Sequence, residues 1–420
     1  MKINVGNDLY LKGRIGWKGL SKDEYLNNSD YRIINGYSLK EGFIDWDIAG
    51  YISKERYEES PEIQLEIGDI LISKDGTIGK VGIVRELLSL STVASGIFVL
   101  RNTIPHKLCT EYLFQYLNSS NFKNFINRVK ADGSTIQHLY QRDLVRLEIE
   151  VPDLQIQEKI AKVLSDIDSK IELNNKINSE LESMTKLIYD YWFVQFDFPD
   201  KNGNPYKSSG GKMVYDDKLK REIPVDFEVR EIQDLITVKD GTHDSPKTVK
   251  NGFKLVTSKH LRREGLDFEN ANCISKDDFI NINKRSKVHT GDILFSMIGN
   301  VGTVYKVEEE YIDFAIKNVA LYKTSELTSH KNYIYLCLKG YDMARYMGNV
   351  IAGSIQKFIG LGSLRKMPLL INETLIHNFD LKTKPIFLEI ENRRVENLEL
   401  TKLRDWLLPM LMNGQVTIKD

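Results

Sequence analysis

Side chains able to do covalent or metal chemistry are scattered along this chain rather than gathered. The seven histidines form neither HxxxH nor HExxH, so the i, i+4 pair that would set two imidazoles on one helix face for zinc is missing. Cys109, Cys273 and Cys337 stand far apart with no CxxC pair, which argues against a disulfide framework and a cysteine-rich zinc site. Ser209-Gly210-Gly211-Lys212-Met213 lacks the first glycine and the hydroxyl of a P-loop and reads as a linker. Gly76-x-x-Gly79-x-x-Gly82 reads as strand–turn–strand, whereas a dinucleotide cradle opens a helix. Asn204-Pro-Tyr206 holds only part of an amino-methyltransferase motif, without its second proline. A nuclease-like Pro152-Asp153 with Asp168-Ser-Lys170 falls on a helical stretch and reads as a solvated face. The sequence does not read as a catalyst.

Charge carries more information. Lys plus Arg (58) nearly balances Asp plus Glu (59), for a net charge of −1 and a pI near 6.7. A basic coat and an acidic tail are both excluded as global features, so any affinity for nucleic acid must be local. From Lys239 to Arg263 the basic residues are Lys239, Lys247, Lys250, Lys254, Lys259, Arg262 and Arg263, against Asp240 and Asp244, with His243 and His260 interleaved. Near the start, Lys12, Arg14 and Lys18 lie beside Trp17. Such patches suit phosphate contacts, with neighbouring polar side chains free to reach base edges. Taken alone, each patch reads first as an ordinary solvated surface. Their presence in both halves of a repeat turns the reading toward DNA.

That repeat organises the chain. Gly68-Asp69-Ile-Leu-Ile-Ser73 returns as Gly291-Asp292-Ile-Leu-Phe-Ser296, and Gly76-Thr77-Ile-Gly79 returns as Gly299-Asn300-Val-Gly302. Gly133-Ser134-Thr135-Ile-Gln137 is echoed by Gly353-Ser354-Ile-Gln356, and each echo precedes a short apolar strand, Leu147–Val151 and Met367–Ile371. The matched turns supply further candidates for DNA contact: Lys74, Thr77, Lys80, Ser134, Thr135, Gln137 and His138, then Asn300, Ser354, Gln356 and Lys357. The globular parts read as mixed α/β, with strands between Gly-Asp or Asn-Gly turns and short helices such as Thr110–Leu117 and Lys331–Met347.

Each half then runs into a long polar helix. After Pro152-Asp153, apolar residues fall at Ile156, Ile160, Val163, Ile167, Ile171, Ile177, Leu181, Met184, Ile188 and Tyr191. Steps of mostly 3, 4 or 7 predict a coiled-coil seam, interrupted by Asn174, and about 40 residues make a rod roughly 60 Å long. The second stretch, Glu373 to Gly414, is looser; Pro385 should kink or restart it, and Asn413-Gly414 should stop it. Two such helices can cover each other's stripes as an antiparallel pair. The expected domains are 1–152, a helix over 153–199, 200–372, and a second helix over 373–420. Pro, Gly, Asn and Ser in Phe198–Gly211 predict a linker. The longest uncharged run, Leu87–Leu100, is too short to span a bilayer and the start lacks a signal-peptide core. The expectation is a soluble cytoplasmic protein.

Several segments resemble the specificity (S) subunits of type I restriction–modification enzymes over essentially the whole chain. The resemblance rests on Val151-Pro-Asp-Leu-Gln-Ile-Gln157 leading into Leu164-Ser-Asp-Ile-Asp168 and Ile171-Glu-Leu-Asn-Asn175. It continues in Leu187-Ile-Tyr-Asp-Tyr-Trp-Phe193, Phe196-Asp-Phe198 and Leu403-Arg-Asp-Trp-Leu-Leu-Pro409 through Gly414. It implies two target-recognition domains, each reading half of a bipartite, asymmetric double-stranded DNA target. It also implies helices that set the spacing and dock two methyltransferase (modification) subunits, with restriction/translocase subunits beyond them. S-adenosylmethionine, ATP and Mg2+ would then serve the partner chains and not this one. A solitary DNA-binding regulator or a coiled-coil scaffold is the competing reading. One departure from the pattern stands out: the second half enters through a strand-like Ile223–Ile232, and the first half, opening at Tyr10–Trp17, shows no such lead, so that either the first domain is abbreviated or the linker near 203–235 completes its sheet.

Overall fold

The computed structural model describes residues 1–14, 19–40, 42–131, 138–262, 265–327, 329–353, 357–416 and 418. The chain forms two compact units, Met1–Leu173 with Glu396–Asp420, and Asn174–Val395. The divisions fall in the middle of the two long helices, not at their ends, so each unit owns half of each helix.

In the first unit the strands are β1 (Lys2–Asn4), β2 (Tyr10–Gly13), β3 (Tyr31–Ile34), β4 (Gly50–Ile52), β5 (Ile70–Ser73), β6 (Val81–Ile83), β7 (Leu90–Val93), β8 (Ile97–Arg101) and β9 (Glu148–Glu150). They pair as β2-β8-β5-β6, β4-β3-β7 and β1-β9. In the second unit a hairpin of β10 (Met213–Asp216) and β11 (Arg221–Pro224) precedes β12 (Glu228–Glu231), β13 (Val238–Asp240), β14 (Phe253–Thr257), β15 (Cys273–Ile274), β16 (Ile293–Ser296), β17 (Val304–Lys306), β18 (Phe314–Lys317), β19 (Val319–Tyr322) and β20 (Pro368–Ile371). These pair as β13-β19-β16-β17, β15-β14-β18 and β12-β20. The two orders match strand for strand, including the parallel pairs β3·β7 and β14·β18. The first half therefore does have its lead strand: Lys2–Asn4 pairs antiparallel with β9 as β12 pairs with β20. Three residues were too short a period to register as a strand.

The repeated Gly-Asp is a structural lock. Gly68 and Gly291 sit at φ 93° and 86°, where a Cβ is disfavoured. The aspartates that follow have fully buried side chains. Asp69 accepts from the Glu66 amide and pairs with Arg101 at 2.6 Å, while Asp292 accepts from the His289 amide and pairs with Lys323. The repeated glycine turn is a hairpin device: the Ser73 hydroxyl donates to Thr77 O and accepts from Lys80 N, and Ser296 does the same with Asn300 O and Thr303 N.

The first long helix runs Leu154–Tyr189 and the second Glu373–Met412. In the first unit they lie antiparallel, with Asp168 against Arg404 at 3.2 Å, Lys170 against Glu396 at 3.4 Å, and Ile160 and Leu164 in one core with Leu408 and Leu411. In the second unit Asn178 donates to Ile390 O and Tyr189 packs on Phe379, again antiparallel. Asn174 is buried as the seam required, but so are Gln157, Asn178 and Thr185, whereas Ile156 and Met184 are exposed. The contact stripe is thus more polar than the hydrophobic spacing predicts. Pro385 does not break the second helix. It lies on the exposed side, and the carbonyl it leaves without an amide partner belongs to exposed Leu381. Gly414 ends the helix at φ 66°. The helix expected over Lys331–Met347 is two, Lys331–Lys339 and Tyr341–Val350, divided at Gly340. The segment after Phe198 is pinned rather than loose: Tyr206 stacks on Phe198 and Asp197 accepts from Ser208. Among the described residues no helix is long and apolar enough to cross a membrane.

Candidate nucleic-acid interface

In each four-stranded sheet one end brings together the close of two strands and the start of a third. In the first unit these are the ends of β2 and β5 and the beginning of β8. There Lys74 N donates to Gly96 O at 2.8 Å, Leu139 N donates to Lys74 O at 3.0 Å, and Gln141 Nε2 donates to Leu11 O at 3.1 Å. His138 Nδ1 lies 2.5 Å from Asp75 Oδ1. Lys74, Thr77, Lys80 and His138, apart in sequence, are thereby assembled around one turn, whereas the Lys12 ammonium lies 5.9 Å from the Tyr10 ring, toward the other end of β2. Thr77, Lys12 and His138 are exposed. Lys74 is half-buried with its ammonium 4.9 Å from the Phe98 ring, and burial lowers its pKa. Arg142, stacked over Tyr140 at 4.6 Å, joins this end, and Tyr37 stands 83% exposed just beyond β3. Neither was a sequence candidate, because nothing in the local pattern ties them to the β5–β6 turn.

In the second unit the equivalent end gathers the β16–β17 turn and the segment before Ile359. Gly299 N donates to Lys357 O at 3.0 Å and Ile359 N to Met297 O at 2.9 Å, which places exposed Asn300 beside exposed Lys357. Thr257, at the end of β14, pairs across from Lys317, so exposed Lys259 reaches the same end. Lys247 and Lys250 are exposed on the loop after β13.

Two candidates belong to the interior instead. Arg14 is buried, with Nε donating to Val93 O at 3.0 Å and its terminal nitrogens facing Ser60 and Thr92 hydroxyls. It plugs the gap between two sheets. His260 is buried, its Nδ1 accepting from Thr257 N at 3.0 Å, and burial lowers its pKa. Two more are partly committed: Lys254 Nζ donates to Ala271 O at 3.1 Å, and Arg262 pairs with Asp267 at 3.1 Å, where hydrogen bonds from Asn270 and then Arg262 lower the pKa of that carboxyl to about 2. A basic run in sequence cannot show which of its members the fold has already used. Lys18, Ser134, Thr135, Gln137, Arg263, Ser354 and Gln356 lie outside the described residues.

Among the described residues no three His, Cys, Asp or Glu are placed to hold a metal ion. What the two sheet ends present is exposed ammonium groups, an imidazole and short polar side chains, suited to phosphates and base edges.

Residues 16–183 and 224–371 match the type I restriction modification DNA specificity domain. Over 368 residues the chain is 26% identical to the type I restriction enzyme MjaIX specificity subunit of Methanocaldococcus jannaschii, covering 84% of this chain and 78% of that protein. It is 23% identical to the HindI specificity subunit of Haemophilus influenzae, covering 73% and 77%. Its fold matches the crystal structure of the type I restriction-modification S subunit from M. genitalium with a TM-score of 0.54 at 15% identity, covering 98% and 95%. With two such domains on two units of the same strand order, the chain belongs to the specificity subunits of type I restriction–modification enzymes.

Proposed function

We propose that each unit reads one half of a bipartite, asymmetric duplex-DNA target through the sheet end described above. The observation that carries this is the matched pair of folds presenting unmatched side chains at the same place: one scaffold used twice, with two different reading surfaces. Exposed lysines there supply phosphate contacts, whose counterion release makes affinity fall steeply with salt.

The long helices serve partner chains. Their outward faces keep large apolar groups in water, Leu398 and Trp406 in the first unit and Leu187 and Leu388 in the second, with Leu187 68% exposed and Trp406 58% exposed. A solitary DNA-binding regulator has no use for such surfaces. They suit docking of two methyltransferase subunits, one per unit, with restriction/translocase subunits joining outside them. S-adenosylmethionine, ATP and Mg2+ belong to those partners in this reading, and work on chromosomal DNA puts the chain in the cytoplasm. Co-expression with methyltransferase chains tests both parts. Co-purification and methylation at one bipartite sequence are expected. Binding of specific DNA by this chain without any methyltransferase would return the regulator reading.

A further inference from the structure

The two units differ at the corner where the chain passes from one sheet to the other. In the first, β7 leads to β8 through Ala94-Ser95-Gly96, and Arg14 fills the space alongside. In the second, β18 leads to β19 through one residue, Asn318, held at φ 52°. Left-handed backbone outside glycine is uncommon, and such residues gather at functional sites.

The Asn318 amide faces a built array. Its Oδ1 lies 2.8 Å from His243 Nδ1, and His243 Nε2 lies 2.9 Å from the Asp240 carboxylate, whose other oxygen receives Arg285. The Asp240 side chain is 5% exposed and the His243 side chain 62% exposed, so a buried anion holds a ring that stands in solvent. The backbone beneath is fixed on both sides. Gly241 N donates to Val319 O, Thr242 N to Ile316 O and Asn318 N to Thr242 O. A Cβ at Gly241 would lie 2.2 Å from Ile316 O, so only glycine permits this approach.

We propose that Asn318 and His243 read a base edge in the half-site of the second unit, with Asp240 and Arg285 as positioning residues beneath the ring. The imidazole engages one end of the Asn318 amide and leaves the other for a base edge: Nδ2 to donate to purine N7, guanine O6 or thymine O4, or Oδ1 to accept from adenine N6 or cytosine N4 in the major groove. Features that the units share, such as the Gly-Asp lock and the glycine turn, cannot tell one half-site from the other. Discriminating groups must lie where the copies differ, and this corner differs while remaining rigid. Exposed Lys259 flanks it for phosphate contact, and half-buried Lys317, whose ammonium donates to Ser245 Oγ, lies beside it. The assignment rests on the reading of the chain as a duplex-DNA recognition subunit.

Asn318→Gly removes the amide while favouring the left-handed backbone, so it separates reading from folding; His243→Ala is the second variant. The full chain is expressed with its methyltransferase subunits and methylated sequences are mapped across the host genome. The assembled complexes are also titrated with duplexes carrying single base changes. In both variants one position of one half-site should become degenerate, discrimination there falling roughly 5- to 150-fold, while the other half-site is unchanged. Identical methylated sequences in wild type and Asn318→Gly, or losses spread evenly over both halves, overturn the assignment. A wild-type complex that methylates no bipartite sequence defeats the underlying DNA reading itself. A normal wild-type pattern left unmoved by Asn318→Gly defeats only the corner.

Discussion

At each of the two repeat locks a fully buried aspartate is held by a cation. Asp292 and Lys323 are both buried, at 0% and 5% side-chain exposure. Removing one partner strands the other charge, a loss of about 3–5 kcal/mol in such pairs, whereas replacing both by apolar groups is often neutral. Asp292→Ala should therefore lower the denaturant midpoint sharply, and Asp292→Leu with Lys323→Met should recover the part due to the stranded ammonium but not the part due to the His289 and Ser325 amides that Asp292 accepts from. Equal losses in the single and double variants would show that the ion pair is not the cause. Exposed lysines behave oppositely. Lys247→Ala, Lys250→Ala and Lys259→Ala together should leave unfolding unchanged but flatten the salt dependence of DNA affinity in the assembled complex. The slope should fall by up to about 0.9 per phosphate contact removed. Arg14→Ala should do the reverse, destabilising the fold without altering that slope.

At the scale of elements, the second long helix tolerates Pro385 because the fold turns it outward. An interior proline costs a helix about 3 kcal/mol relative to alanine, part of which is returned through the stiffer unfolded chain. Pro385→Ala should consequently raise the thermal midpoint. A lowered midpoint would mean that the proline shapes the helix path. The polar stripe of Gln157, Asn174, Asn178 and Thr185 exchanges some hydrophobic stabilisation for a defined register, as buried asparagines do in coiled coils. The apolar groups withheld from that stripe are the ones left outside. Leu187→Glu should abolish recovery of one methyltransferase subunit per complex while circular dichroism and unfolding stay as in wild type. Full recovery of both subunits would reject docking on that face.

For the whole molecule, the boundary between the two units falls inside both long helices, and, with each unit reading one half-site as proposed, their length is the measure of the gap between half-sites. Four residues add about 6 Å of helix and turn it by roughly 40°, close to two base pairs of duplex at about 3.4 Å each. Insertion of four helical residues after Leu173 and again after Val395 keeps the antiparallel pair in step. Methylation mapping should then find the same half-sequences separated by a longer gap. An unchanged gap with retained activity reduces the helices to a tether.

Sequence alone determined what depends on neighbours in the chain: the duplication, the glycine turns, the two long helices and the absence of catalytic motifs. Turn chemistry, helical period and motif spacing are local properties, so they survive in one dimension. The length of β1 did not, because three residues carry no periodicity until β9 lies beside them. Nor could local rules see that Pro385 faces outward, or that the helices divide between two units at Leu173 and Val395. The candidate site shows the same division. Basic residues were visible as composition, but Arg14 and His260 have their donors and acceptors used inside the fold, and only packing reveals that. His243 meets Asn318 across 75 residues of chain, a contact made by the crossing of two sheets. Long-range pairing decides which polar groups remain free for a ligand, since burial must satisfy each polar group it encloses.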